Sequence, residues 1–176
     1  AIDTQIKILV IAEHNESELN DSVFKVISAA KSWNGEVDLL VMGKNTEHVA
    51  QKAAKIKDVS SVIRLDGDHL EHLLAEDAAK IVEMLSKNYQ VILAAHSWFS
   101  RNFLPRVAAV LNVSLITDVL KIESNNVYTR AIYAGNVHAK IKSKDPIQLL
   151  TIHTSLFEAC ARDGGDAEII SKDTPQ

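Results

Sequence analysis

A chain of 176 residues, 47 % apolar and 24 % charged with a formal charge of −4, has the length of one domain and enough apolar side chains to fill one core. Acids and bases are mixed along it, which excludes a nucleic-acid groove or a basic membrane face, and no apolar run approaches the roughly 20 residues that cross a bilayer. Its one cysteine, Cys160, excludes an internal disulfide and a Cys-x-x-Cys centre and fits a soluble protein of a reducing, cytoplasm-like compartment.

Short β-branched runs alternate with longer segments of helical period, the pattern of a parallel sheet covered on both faces. Ile6–Ala12 is the first strand. Leu19–Trp33 follows as a helix whose Leu19, Val23, Val26, Ile27 and Ala30 form one stripe, and Asn34-Gly35 stops it. Val37–Met42 is the second strand and Glu47–Ile56 the second helix, with Val49, Ala53 and Ile56 inward. Ser61–Leu65 is the third strand, closed by Asp66-Gly67. Leu70–Ser86 is the third helix, with Leu74, Ala78, Ile81 and Leu85 inward, and Val91–Ala95 the fourth strand.

Pro105 lacks an N–H and belongs in a first helical turn. The fourth helix is therefore expected to start near Arg101 or Asn102, with Leu104, Val107, Ala108 and Leu111 on the sheet and Arg106 on a flank. Leu115–Ile122 reads as a fifth strand. Val127–Ala134, Val137–Lys142 and Ile147–Ile152 follow with no helix between them, so the chain is expected to finish in antiparallel strands, with Gly135-Asn136 as a hairpin turn. Cys160 is placed on a last helix as a small apolar residue. The polar run 164–176, with two glycines and a proline, reads as a linker after a domain spanning 1–163. The fold class is α/β: a doubly wound, mostly parallel sheet flanked by helices, Rossmann-like and adenine-nucleotide-alpha-hydrolase-like, with antiparallel strands at its C-terminal end.

In such sheets ligands gather at the carboxyl ends of the strands, where strand order reverses. Glu13 and His14 after the first strand and His96, Ser97, Trp98 and Ser100 after the fourth belong there, with Arg101 and Arg106 on the next helix. A helix N-terminus favours an anion, yet Ala94–Arg101 has no glycine to wrap a phosphate; a surface crevice of polar loop residues is the plainer reading. Neighbours such as Glu13 and His14 point apart at a strand end, which weakens them as an acid/base pair. His69-x-x-His72 with Glu76 has helical metal spacing but too few ligands, and reads as a solvated face. Asp118 and Arg130 stand in apolar strands, where a charge needs a partner; they are expected to be paired inside the sheet layer or at a subunit boundary. Trp98 and Phe99, with Phe103 behind them, are either a partner-facing patch or, for Phe103, a cover on the sheet edge.

Two runs carry more than this. Phe103–Asp118 contains Leu104-Pro-Arg-Val-Ala-Ala109 and ends on an Asp in a buried strand, and Tyr128–Asn136 reads Tyr-Thr-Arg-Ala-Ile-Tyr-Ala-Gly-Asn. Together with Ile8–His14 and Thr154–Ala159, they resemble the N-terminal domain of the electron transfer flavoprotein alpha subunit, over about residues 6–170. The resemblance implies an electron-carrier subunit rather than an enzyme. It also implies FAD, bound mainly by a C-terminal domain whose Gly-Gly-Arg-Gly and Gly-x-Ser-Arg loops do not occur in this sequence. A beta subunit would be the partner, with acyl-CoA and related dehydrogenases of fatty acid β-oxidation as electron donors and a membrane quinone oxidoreductase as acceptor. The setting would be the bacterial cytoplasm or the mitochondrial matrix, with no nucleic acid and no direct membrane insertion. On that reading this chain carries no catalytic or cofactor-binding residue. Glu13, His14, His96, Trp98, Arg101, Arg106, Asp118, Arg130 and Asn136 are candidates for a polar crevice or subunit contact. His153 departs from the family, many of whose members have arginine there, and this weakens a cofactor contact at that edge. The rivals are a stand-alone nucleotide-binding, stress-type α/β domain and a hydrolase using Glu13, His14 and His96.

Overall fold

A computed structural model describes residues 5–124, 126–132 and 137–175. The sequence order is β1 (Lys7–Ile11), α1 (Asp21–Ala30), β2 (Glu36–Gly43), α2 (Glu47–Ala54), β3 (Ser61–Asp66), α3 (Ala75–Leu85), β4 (Val91–Ala95), α4 (Trp98–Leu111), β5 (Leu115–Glu123), β6 (Val127–Ile132), β7 (Val137–Lys142), β8 (Gln148–Ile152) and β9 (Glu168–Ser171). The sheet runs β7-β6-β5-β8-β4-β1-β2-β3-β9. Among the described strands of this sheet, the β5-β6 and β6-β7 pairs are antiparallel and the rest parallel. The α/β class and the mostly parallel sheet agree with the sequence reading, and strand order reverses between β1 and β4, each pairing in parallel with the other.

The central strands are apolar on both faces because both are covered. Ile8, Val10, Leu39, Val41, Leu93 and Leu150 join the buried faces of α1 and α2. Leu9, Ile11, Leu40, Ile92 and Leu149 join those of α3 and α4. The predicted stripe of α1 is buried throughout, as are Val49, Ala53 and Ile56. Asn34, rather than Gly35, takes the left-handed conformation that stops this segment, with φ 52°. Gly35 is required for another reason: a Cβ there would lie 2.1 Å from the Ile6 carbonyl oxygen.

Four expectations are corrected. Leu74 is the N-cap of α3 and is 61 % exposed, while Leu70, in a preceding 3-10 turn, is buried in its place. The fourth helix begins at Trp98, with Ser97 as N-cap, so Pro105 lies inside it. Its missing N–H deprives the carbonyl of Arg101, an exposed residue that water can serve. The last apolar strand, β8, is parallel to both neighbours and lies between β4 and β5. Cys160 is on no helix; its N–H donates to the Phe24 carbonyl at 3.0 Å, and burial pushes its thiol up to about 11, which keeps it protonated.

Residues 168–171, read from the sequence as linker, form β9 beside β3. The segment leading to it crosses α2's end, where the Gly165 N–H donates to the Lys55 carbonyl at 2.8 Å. A Cβ on Gly165 would meet the Ile56 carbonyl oxygen at 2.4 Å, so only glycine lets the chain pass that closely. The Gly135-Asn136 turn lies outside the described residues.

Candidate functional site

Two crevices open near the carboxyl ends of the strands. The first, about 630 Å³, lies against the loop after β1 and includes Glu13, His14, Lys44, Glu71 and Phe99. The second, about 870 Å³, lies beyond β4 and includes His96, Arg101, Thr117, Asp118, Arg130 and His153. The sequence placed His96 and Arg101 with Glu13 and His14; the structure divides them between the two.

The first crevice is held together by the chain's own groups. Glu13 and His14 point apart, as adjacent residues should. The His14 Nε2 nitrogen lies 2.8 Å from the Met42 carbonyl oxygen, and its Nδ1 accepts the Glu16 N–H at 3.2 Å, so Nε2 carries the proton and the ring ties the β1 loop to β2. Glu13 accepts from the Ser97 hydroxyl at 2.7 Å. Ser97 in turn caps α4: its hydroxyl accepts the Ser100 N–H at 3.1 Å while its own N–H donates to the Ser100 hydroxyl at 3.1 Å. The N-terminal end of α4, where an anion would settle, therefore already holds a carboxylate. Burial raises the Glu13 pKa, with the Ser97 hydrogen bond opposing the shift. This donor set does not fit a dinucleotide phosphate.

Three predicted residues meet around His96 in the second crevice. Its imidazole Nδ1 lies 2.9 Å from the Thr151 hydroxyl oxygen, which also accepts the Asp118 N–H at 2.8 Å. Burial lowers the His96 pKa, with nearby Asp118 opposing and Arg101, His153 and Arg130 adding to the fall. Asp118 has φ 56°, and the pairing register of β5 shifts on either side of it. Beyond this bend β5 carries Ile122, and β6 carries Tyr128, into the α1-side core, where Tyr128 meets Trp33 with ring centroids 6.2 Å apart.

Asp118 is paired, but with His153: Oδ1 to Nδ1 is 2.6 Å. Arg130 donates through Nη2 to the Thr117 hydroxyl at 2.9 Å, and its buried Nε has no partner among the described residues. The two predicted charges share a crevice without forming an ion pair with each other. Sequence reasoning missed the roles of Thr151 and His153; a lone threonine in the buried run of β8 was the available signal. Trp98 is 83 % exposed and Arg106 exposed, and neither is among the residues lining these two crevices. Phe103 is fully buried against the sheet, with the Phe99 ring 4.8 Å away. His69 lies in the 3-10 turn before α3 and His72 in the loop after it, so they do not share a helix face. Asn136 lies outside the described residues. No helix among them is long and apolar enough to cross a membrane.

Comparison with known proteins accounts for this architecture. The model of the electron transfer flavoprotein domain matches residues 8–175. The electron transfer flavoprotein subunit alpha of Pseudomonas aeruginosa is 40 % identical over 162 residues, which is 92 % of this chain and 52 % of that protein. A probable mitochondrial subunit alpha of Caenorhabditis elegans is 39 % identical over 92 % of the chain and 49 % of its own length. The electron transfer flavoprotein subunit alpha of Bradyrhizobium diazoefficiens is 37 % identical over 93 % of the chain and 52 % of its own length. The chain thus spans about half the length of these relatives, and it belongs to the electron transfer flavoprotein alpha-subunit family.

Proposed function

We propose that this chain is the N-terminal platform domain of an electron transfer flavoprotein alpha subunit. It packs against a beta subunit and supports a C-terminal domain that holds most of the FAD. The observation that carries the reading is the self-capped start of α4, where Glu13 and the Ser97–Ser100 pair occupy the anion position that a nucleotide-binding α/β domain leaves open. The same observation counts against the stand-alone nucleotide-binding domain. The divergent Glu13 and His14, each tied to a structural partner, count against the hydrolase.

On this reading the domain supplies rigidity and surface, and flavin supplies the redox chemistry when bound in the complete protein. Electrons would come from acyl-CoA and related dehydrogenases and leave to a membrane quinone reductase, in the bacterial cytoplasm or the mitochondrial matrix. The domain would run through β9, to residue 171, with the chain beyond it leading toward the flavin domain. The test is co-expression of the chain, extended to the full length of its relatives, with the beta subunit of the same source. A yellow complex of the two subunits with one flavin is expected. A colourless, full-length product that elutes alone would overturn the proposal.

A further inference from the structure

The second crevice holds more positive than negative charge. Arg101 and Arg130 both line it, whereas Asp118 is its one carboxylate among the described residues and is already engaged by His153. Neither arginine lies within ion-pair distance of a carboxylate among those residues. Arg101 is exposed, but Arg130 is half-buried; a guanidinium drawn from water without a counter-charge is costly, and the buried Arg130 Nε adds an unmet hydrogen bond to that cost. Its Nη2 reaches only a neutral hydroxyl, that of Thr117. The imidazoles of His96 and His153 face the same space, and that of His138 is on its rim strand. His96 is bound through Nδ1, which leaves its Nε2 without a hydrogen-bond partner among the described residues.

From this we infer that the crevice is a binding site for a small phosphate-class oxyanion, free or as the terminal group of a small ester, held between Arg101 and Arg130. Guanidinium forks match the oxygens of such a group two at a time. Three terminal oxygens suit a site offering two arginines and an imidazole better than the two of a carboxylate. The volume, about 870 Å³, leaves room for an organic substituent beyond the phosphate. The site flanks the first turn of α4 on the side away from the Glu13–Ser97 contact, and it does not rest on the platform reading.

The experiment is calorimetric titration of the chain with inorganic phosphate and with phenyl phosphate at constant ionic strength. Saturable one-to-one binding of at least one probe is expected. Tighter binding of phenyl phosphate identifies an ester as the ligand, and equal or tighter binding of phosphate identifies the free ion. Arg130→Gln should weaken binding about tenfold or more. Arg101→Gln, at an exposed position that the fold tolerates, should weaken it by a smaller factor. Arg106→Gln, on the same helix but outside the crevice, should leave affinity within about twofold, the expectation for surface charge alone. Absence of saturable binding by folded protein overturns the proposal. So does an equal loss in Arg106→Gln, which would mean diffuse screening, or binding of a protein partner that needs Arg130 while neither probe binds.

Discussion

The centre of the sheet and its antiparallel extension are built from similar lengths of chain but obey different rules. Strands β1, β4 and β8 are covered on both faces, and every residue of β4 and β8 is buried. Strands β6 and β7 are covered less: of their residues Tyr128 and Ala131 alone are buried, while Val137, His138, Lys140 and Lys142 are exposed. Where the two regions meet, Asp118, Arg130, His96 and His153 line one crevice. A sheet of this kind acquires a polar crevice by bending one strand at its border rather than by opening its core.

Truncation tests that contrast most strongly. Leu150→Ala in β8 should cost about 3–4 kcal/mol in urea denaturation, because two packed layers surround the cavity. Ile141→Ala in β7, half-buried, should cost about 1 kcal/mol. Equal costs would mean that the extension is as much core as the centre. At the border, Asp118→Ala should cost about 1–3 kcal/mol, since it leaves His153 without its partner and puts alanine at a positive φ. A variant as stable as the parent would show that the pair contributes nothing.

Tyr128 joins the two regions, its hydroxyl donating to Gln148 Oε1 at 2.8 Å. Burial raises its pKa, as it does for Tyr89. The folded state therefore holds these protons after the unfolded chain has released them, so stability should fall as pH rises above about 10. Tyr128→Phe should flatten part of that alkaline fall, at a cost near neutrality of about 1 kcal/mol for the acceptor left on Gln148. An unchanged alkaline profile would place the effect at Tyr89 alone.

The smallest effect is expected at Glu13→Gln in the first crevice. Burial raises the Glu13 pKa in the folded state, so its contribution to stability is greatest at low pH and is lost as pH rises through the folded value. The glutamine keeps an oxygen for Ser97 without the charge. Stability at neutral pH should stay within about 0.5 kcal/mol or rise, and the acid-range dependence should flatten. A fall of several-fold that size would show that the ionised carboxylate is needed at the start of α4.

The strands and the inner stripes of α1 and α2 were legible because their burial leaves a periodic or continuous apolar trace. The start of α4 was not, because the rule that places proline in a first turn outweighed the weaker Ser97 and Ser100 signal. β8 was read as antiparallel from the missing helix before it, although its unbroken Leu149-Leu150-Thr151-Ile152 run is the pattern of a strand covered on both faces. β9 was hidden by its polar, glycine-rich approach. In the second crevice Asp118 and Arg130 were legible as costly charges, but their partners were not, since Asp118 meets a histidine 35 residues away and only the bend in β5 brings it there.

The insertion of β8 between β4 and β5 bears on how the chain is made. Synthesis proceeds from the amino end, so β4 and β5 leave the ribosome before the strand that joins them. Until Gln148–Ile152 emerges, a slot about 10 Å wide, two strand spacings, separates two incomplete sheets with unpaired edges on either side. A nascent chain stalled before residue 148 would present both edges at once, a state open to misassembly. The five residues of β8 therefore act as a keystone, set late and holding both halves.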